Sequence, residues 1–153
     1  MVNATAVKSL RQPTLDTLGL GGVLDIFKNG ALPVDTGALV DRVFGPEGSR
    51  GCVVVSGANG VVGAGKTMQL GSRLAEFGIP IVALDFPGTP DGIGDQYPGL
   101  VRAFGKASAD GIMANIVRLT YDGRTLPSEL DTLRPRFLLE AIPEILEVKK
   151  AHY

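Results

Sequence analysis

Tryptophan is absent from this 153-residue chain, and cysteine and histidine occur once each. No run of about 18 apolar residues is present either. Each absence removes a class of protein. With Cys52 alone no internal disulfide can form, which excludes a disulfide-stapled scaffold, and the thiol reads as a small buried hydrophobe at the start of a strand. One cysteine and one histidine leave no cluster with metal-ligand spacing. Without a long apolar run, or a basic start followed by an apolar core, the sequence predicts neither a membrane span nor a secretory signal, so the cytoplasm is the expected compartment. Charge of one sign is lacking too: 15 Lys and Arg against 16 Asp and Glu give a net charge of −1, which argues against a nucleic-acid surface. The single histidine, His152, stands one residue from the end on a charged stretch and reads as an exposed tail residue rather than a general base.

What is present is enough for one sizeable core, with 44% apolar and 20% charged residues. The densest signal is VVVSGANGVVGAGK at residues 53–66. An apolar strand runs into a glycine-rich turn and then into an amphipathic helix over residues 62–77. Unpaired backbone N–H groups and the positive end of the helix dipole attract an anion there, and glycines let it approach without a Cβ clash. A nucleotide is the first ligand this layout implies.

Two motifs overlap in that stretch. Gly57, Gly60 and Gly63 form a G-x-x-G-x-x-G variant of the dinucleotide fingerprint, while Gly60, Gly65, Lys66 and Thr67 match G-x-x-x-x-G-K-S/T, the phosphate-cradling P-loop. A P-loop strand runs straight into its first glycine, but here Ser56, Gly57, Ala58 and Asn59 intervene between the strand and Gly60. On the dinucleotide reading Gly57 follows the strand directly, Gly60 lets the pyrophosphate approach and Gly63 packs the helix on the sheet. The helix ends near Gly78, and a second apolar run, residues 79–84, closes with Asp85. This is a βαβ unit. Asp85 lies 22 residues past Gly63, near the spacing at which a carboxylate accepts from the adenosine ribose hydroxyls, and its charge favours NAD over a 2′-phosphorylated cofactor.

A second landmark, LLEAIPEILEVKK at residues 138–150, follows a third apolar strand over residues 115–121. Together with Gly60-Val61-Val62-Gly63-Ala64-Gly65, it resembles the N-terminal NAD-binding domain of the 3-hydroxyacyl-CoA dehydrogenases, whose fourth strand ends in a similar E-A-I/V-P-E run. The resemblance covers residues 51–153. It departs from the family at the first glycine gap, which Asn59 lengthens. It implies that Gly57, Ala58, Asn59, Gly60, Val61, Val62 and Gly63 line the cofactor pyrophosphate, that Asp85 holds the ribose, and that Ala141, Glu144 and Lys149 lie along the cofactor. It also implies an acyl-CoA substrate, with the catalytic histidine region and a helical C-terminal domain falling beyond Tyr153. By residue type alone, Glu144 equally suits the first turn of a helix behind Pro143, and Lys149 a solvated surface.

Four strands are expected, at about 52–56, 80–85, 115–120 and 136–140. They define an α/β fold with a Rossmann-like parallel sheet, a partial doubly wound arrangement preceded by a helical extension over residues 1–50. In that extension Leu15, Leu18, Val23, Ile26 and Phe27 approximate one helical face, and Asp35 or Thr36 caps a second short helix through Leu39, Val40, Val43 and Phe44. Residues 86–97, rich in glycine, proline and aspartate, predict a long surface loop. The expected function is NAD binding for an oxidoreductase. A P-loop nucleotide-binding protein acting through Lys66 and Thr67, and a non-catalytic interaction domain using its N-terminal helices as a homo-oligomer contact, remain alternatives.

Overall fold

The computed structural model describes residues 35–153, of which Val40–Tyr153 form one compact unit. The first expected amphipathic helix, carrying Leu15 to Phe27, lies outside the described residues. The second is present as α1, Thr36–Phe44, and Asp35 starts it by accepting a hydrogen bond from the Ala38 amide at 3.2 Å.

The elements that follow are β1 (Cys52–Ser56), α2 (Val61–Leu74) with a 3-10 turn at Ala75–Phe77, β2 (Ile81–Asp85), α3 (Gly92–Phe104), α4 (Lys106–Ala114), β3 (Ile116–Thr120), α5 (Glu129–Leu133), β4 (Pro135–Glu140) and α6 (Leu146–His152). Each expected strand is found within one residue of its expected limits. All three strand pairings are parallel, in the order β3-β2-β1-β4. The fold is therefore α/β with a Rossmann-like parallel sheet.

The sequence of each strand follows from its place. β1 and β2, buried along their whole length, read as unbroken apolar runs because both faces are covered. Val53, Val55, Ile81 and Ala83 face a core built with Ala64 and Met68 of α2, Ile93 and Leu100 of α3, and Ala109 and Ile112 of α4. Val40 and Phe44 of α1 join that core. The alternate residues Cys52, Val54, Val82 and Leu84 face the other way, against Tyr121 and Leu130. From β1 the chain steps outward to β2 and β3, then returns to place β4 on the other side of β1. The order reverses between β1 and β4, which is where open α/β sheets part to form a crevice.

Two expectations need correction. The loop expected over residues 86–97 is shorter, since α3 begins at Gly92: the Asp91 carboxylate accepts from the Gly94 amide at 2.9 Å and starts the helix. Arg118 on β3 pairs with Asp91 at 2.5 Å, and this pairing first, then the Gly94 bond, holds the Asp91 carboxyl below its ordinary range. Pro98 sits inside that helix, and the density of glycine and proline masks the buried pair Ile93 and Leu100. The other correction concerns His152, taken up below. Among the described residues no helix is long and apolar enough to cross a membrane.

Candidate functional site

β1 delivers the chain to Gly57, whose φ of +74° lies in the left-handed region that favours glycine. A Cβ there would also stand 2.8 Å from the Ala141 carbonyl oxygen. The amides of Gly57 and Ala58 both donate to the Leu84 carbonyl of β2, at 2.9 and 3.3 Å, which folds the turn back over the sheet. Gly60 precedes α2 in an extended conformation and offers no side-chain cap. The amides of Val61, Val62 and Gly63 are thus left without an intrahelical acceptor. Gly63 is buried against the turn, and a Cβ on it would run into the Gly57 carbonyl oxygen. The helix start is therefore locked on the turn at the closest backbone approach.

Asp85, at the end of β2, is buried and spends its carboxylate on the same turn. Oδ2 accepts from the Asn59 amide at 2.7 Å, and Oδ1 accepts from the Phe86 amide at 2.9 Å and from the Thr89 hydroxyl at 3.3 Å. Three donors converge on one anionic group. This binds the glycine turn to the loop after β2.

Between these parts opens a cleft of about 600 Å³, within the usual range of ligand pockets. Gly57, Gly60, Val61 and Val62 form one wall; Asp85, Phe86, Thr89 and Tyr121 form the second; Glu140, Ala141, Ile142, Pro143 and Glu144, from the end of β4 and the turn after it, form the third. Seven of the expected cofactor residues line it: Gly57, Gly60, Val61, Val62, Asp85, Ala141 and Glu144. Ala58 and Gly63 are buried behind the wall, and Asn59 is tied to Asp85. Lys149 stands outside the lining. Its ammonium donates to Glu140 and Glu144, at 2.8 Å each, and so fixes two carboxylates of the third wall. Among the described residues no lysine or arginine lines the cleft.

Sequence reasoning missed Tyr121, Phe86 and Glu140, whose one common signal is position at or just after a strand end. Tyr121 stacks on Phe86, ring centroids 5.8 Å apart. Its hydroxyl meets Ser56 Oγ at 2.7 Å and His152 Nδ1 at 3.0 Å. Burial pushes the Tyr121 phenol above its ordinary pKa. His152, expected as an exposed tail residue, is instead half-buried and bonded to that phenol, because α6 runs back beside the residue that follows β3.

Glu140 gathers three donors: Lys149 and Tyr153 on Oε2, at 2.8 and 2.7 Å, and the Ile142 amide on Oε1 at 2.7 Å. Lys149 chiefly, then Tyr153, holds its carboxyl below the ordinary value of 4.5. Glu140, then Glu144, pushes Lys149 above its ordinary value. A depressed carboxyl contributes stability in full above its unfolded pKa and loses it as pH falls through the folded one. Glu140→Gln is therefore expected to be less stable than wild type at neutral pH, with the gap closing as pH drops below about 4.5. Chemical unfolding at a series of pH values checks this.

The P-loop alternative meets a geometric obstacle. α2 starts at Val61, so Lys66 and Thr67 lie more than a turn inside it. Lys66 points to Gln69 on the exposed side, and the Thr67 hydroxyl is buried with no hydrogen-bond partner among the described residues. Neither reaches the cleft. Comparison with protein-family models, curated proteins and solved structures finds no match to the chain. What stands is an α/β protein with a Rossmann-like sheet and a cleft at its switch point.

Proposed function

We propose that the cleft binds NAD and that the chain is the cofactor-binding part of an oxidoreductase. The observation that carries this reading is the start of α2. Its uncapped amides open onto a cleft between the ends of β1 and β4, where a parallel sheet receives a dinucleotide. The residues fit such a ligand. Gly57 and Gly60 expose backbone for close approach, and the amides of Val61 and Val62 suit a pyrophosphate. Val61 is 95% exposed and Val62 64%, apolar surface that a bound cofactor would cover. Asp85 places a negative charge in the wall, and with no basic side chain among the described residues of the lining to offset it, a 2′-phosphate is disfavoured. Bound NAD would supply the hydride acceptor for oxidation of a hydroxyl group.

For the substrate, the resemblance in the glycine turn and in the Glu140 to Glu144 run supports a 3-hydroxyacyl-CoA dehydrogenase type of reaction. Lys149, Glu140 and Glu144 would then set the charge beside the cofactor.

A substitution at Val61 separates binding from folding. Val61→Glu puts a carboxylate in the first turn of α2, where it favours the helix dipole by about 0.3–1 kcal/mol, yet it repels a pyrophosphate at the same spot. In a calorimetric titration with NADH the variant is expected to lose at least about tenfold in affinity, about 1.4 kcal/mol, with thermal stability held or slightly raised. Equal binding by variant and wild type, or NADPH binding as tightly as NADH, would overturn the proposal. Magnesium-dependent ATP binding lost in Lys66→Ala would favour the P-loop.

A further inference from the structure

β4 closes one side of the sheet, and among the described residues it pairs only with β1. Its other row of backbone amides and carbonyls has no strand partner there. Unlike the buried β1 and β2, β4 is exposed from Pro135 to Leu138. Phe137 is 49% exposed and Leu138 55%, and as neighbours on a strand they lie on opposite faces. Soluble proteins normally blunt such an edge with charges, bulges or a covering element. Here only Pro135, at the first position, and Arg136 work against pairing.

We propose that this edge pairs with the β4 edge of a second copy, antiparallel about a two-fold axis through Leu138, joining two four-stranded sheets into one. The order of residues along the strand selects that register. A two-fold axis normal to the sheet keeps each face continuous, so opposed residues must be of like facing. Centred on Leu138, the strands place Leu138 against its own copy, Phe137 against Leu139 and Arg136 against Glu140. Apolar side chains meet apolar ones, and the one basic residue of the strand meets the one acidic residue, whose Oε2 is taken by Lys149 and Tyr153 but whose Oε1 accepts only the Ile142 amide among the described residues and has room for a second donor. Arg136 has no carboxylate partner among the described residues. The two alternative registers, centred on Phe137 or Leu139, set Arg136 against Leu138 or Leu138 against Glu140, so a charge faces an apolar side chain in each. Opposite charges facing each other across paired strands favour the pairing.

The mass of the full chain in solution, by sedimentation over micromolar concentrations, tests the assembly. Wild type is expected to be a dimer. Leu138→Lys sets two ammonium groups face to face at the axis and is expected to give a monomer with an unchanged circular dichroism spectrum. A pair of cysteine variants fixes the register. Directly opposed Cα atoms lie within disulfide reach, whereas diagonal neighbours lie beyond it. Leu138→Cys is expected to cross-link rapidly on mild oxidation, and Phe137→Cys slowly. A wild type that stays monomeric at every concentration, a dimer that Leu138→Lys leaves intact, or equal cross-linking at both positions would overturn the proposal. Should Leu138→Lys fail to fold, the cysteine pair decides by itself.

Discussion

Gly63→Ala is expected to destabilise the protein by about 3 kcal/mol, at the upper end of what overpacking costs, and to lower the melting temperature by roughly 10 °C. One methyl group does this because its neighbours have nowhere to go. A Cβ at Gly63 meets the Gly57 carbonyl oxygen and stands 2.9 Å from the Ala58 Cα. These are backbone atoms of a turn held from below by the Leu84 carbonyl and from the side by Asp85. A clash with a flexible side chain would relax, but this one must push α2 off the sheet, and the helix carries Ala64, Met68 and Thr67 into the core. Gly65 gives the control. It belongs to the same helix, and a Cβ on it meets nothing within 4 Å, so Gly65→Ala is expected to gain up to about 1 kcal/mol from helix propensity. Thermal unfolding of the pair separates glycine needed for close packing from glycine merely present in the motif.

Asp85→Ala is expected to cost about 3 kcal/mol by a different route. Asp85 is 7% exposed, and its carboxylate accepts from the backbone amides of Asn59 and Phe86. Its removal strands two part-buried donors, each costing about 1–3 kcal/mol. Asp85→Asn does not repair this, since its amide group offers one acceptor oxygen where the carboxylate offers two. The check is denaturant unfolding, with a lower midpoint and an unchanged slope. A consequence follows for any binding measurement. If the cleft binds NADH as proposed, loss of affinity in an Asp85 variant would mix a lost ribose partner with a loosened turn, whereas Val61→Glu leaves the turn in place.

The strands were legible in the sequence because burial on both faces writes itself as unbroken apolar runs. Residues 52–55 and 81–84 have no other reading of that length. The glycine spacing was legible for a similar reason: Gly57 and Gly63 are required by contacts across a few residues of chain. The start of α3 was hidden, since a helix begun by Asp91 and carrying Pro98 has the composition of a loop, and its first turn depends on the Asp91 side chain and on Arg118 of β3. Tyr121 and His152 were hidden more deeply. Their pairing joins residues 31 apart, and nothing in the local pattern near His152 distinguishes a docked residue from a frayed one. The obstacle to the P-loop reading was legible too: the strand end expected near Val55 and the helix start expected at Val62 lie within one residue of Ser56 and Val61, which leaves Lys66 and Thr67 inside the helix.

Cys52 gives the fold a clock. It is the one thiol of the chain, fully buried in β1 between β2 and β4, and burial pushes its pKa up. A thiol reagent cannot reach the sulfur while β1 keeps both neighbours, so labelling waits for the sheet to part at a strand that β2 and β4 flank. The rate of modification in native buffer then counts openings of the innermost strand, with no second thiol to blur the signal, and a ligand seated at the far end of β1 would be read as a slowing of that count.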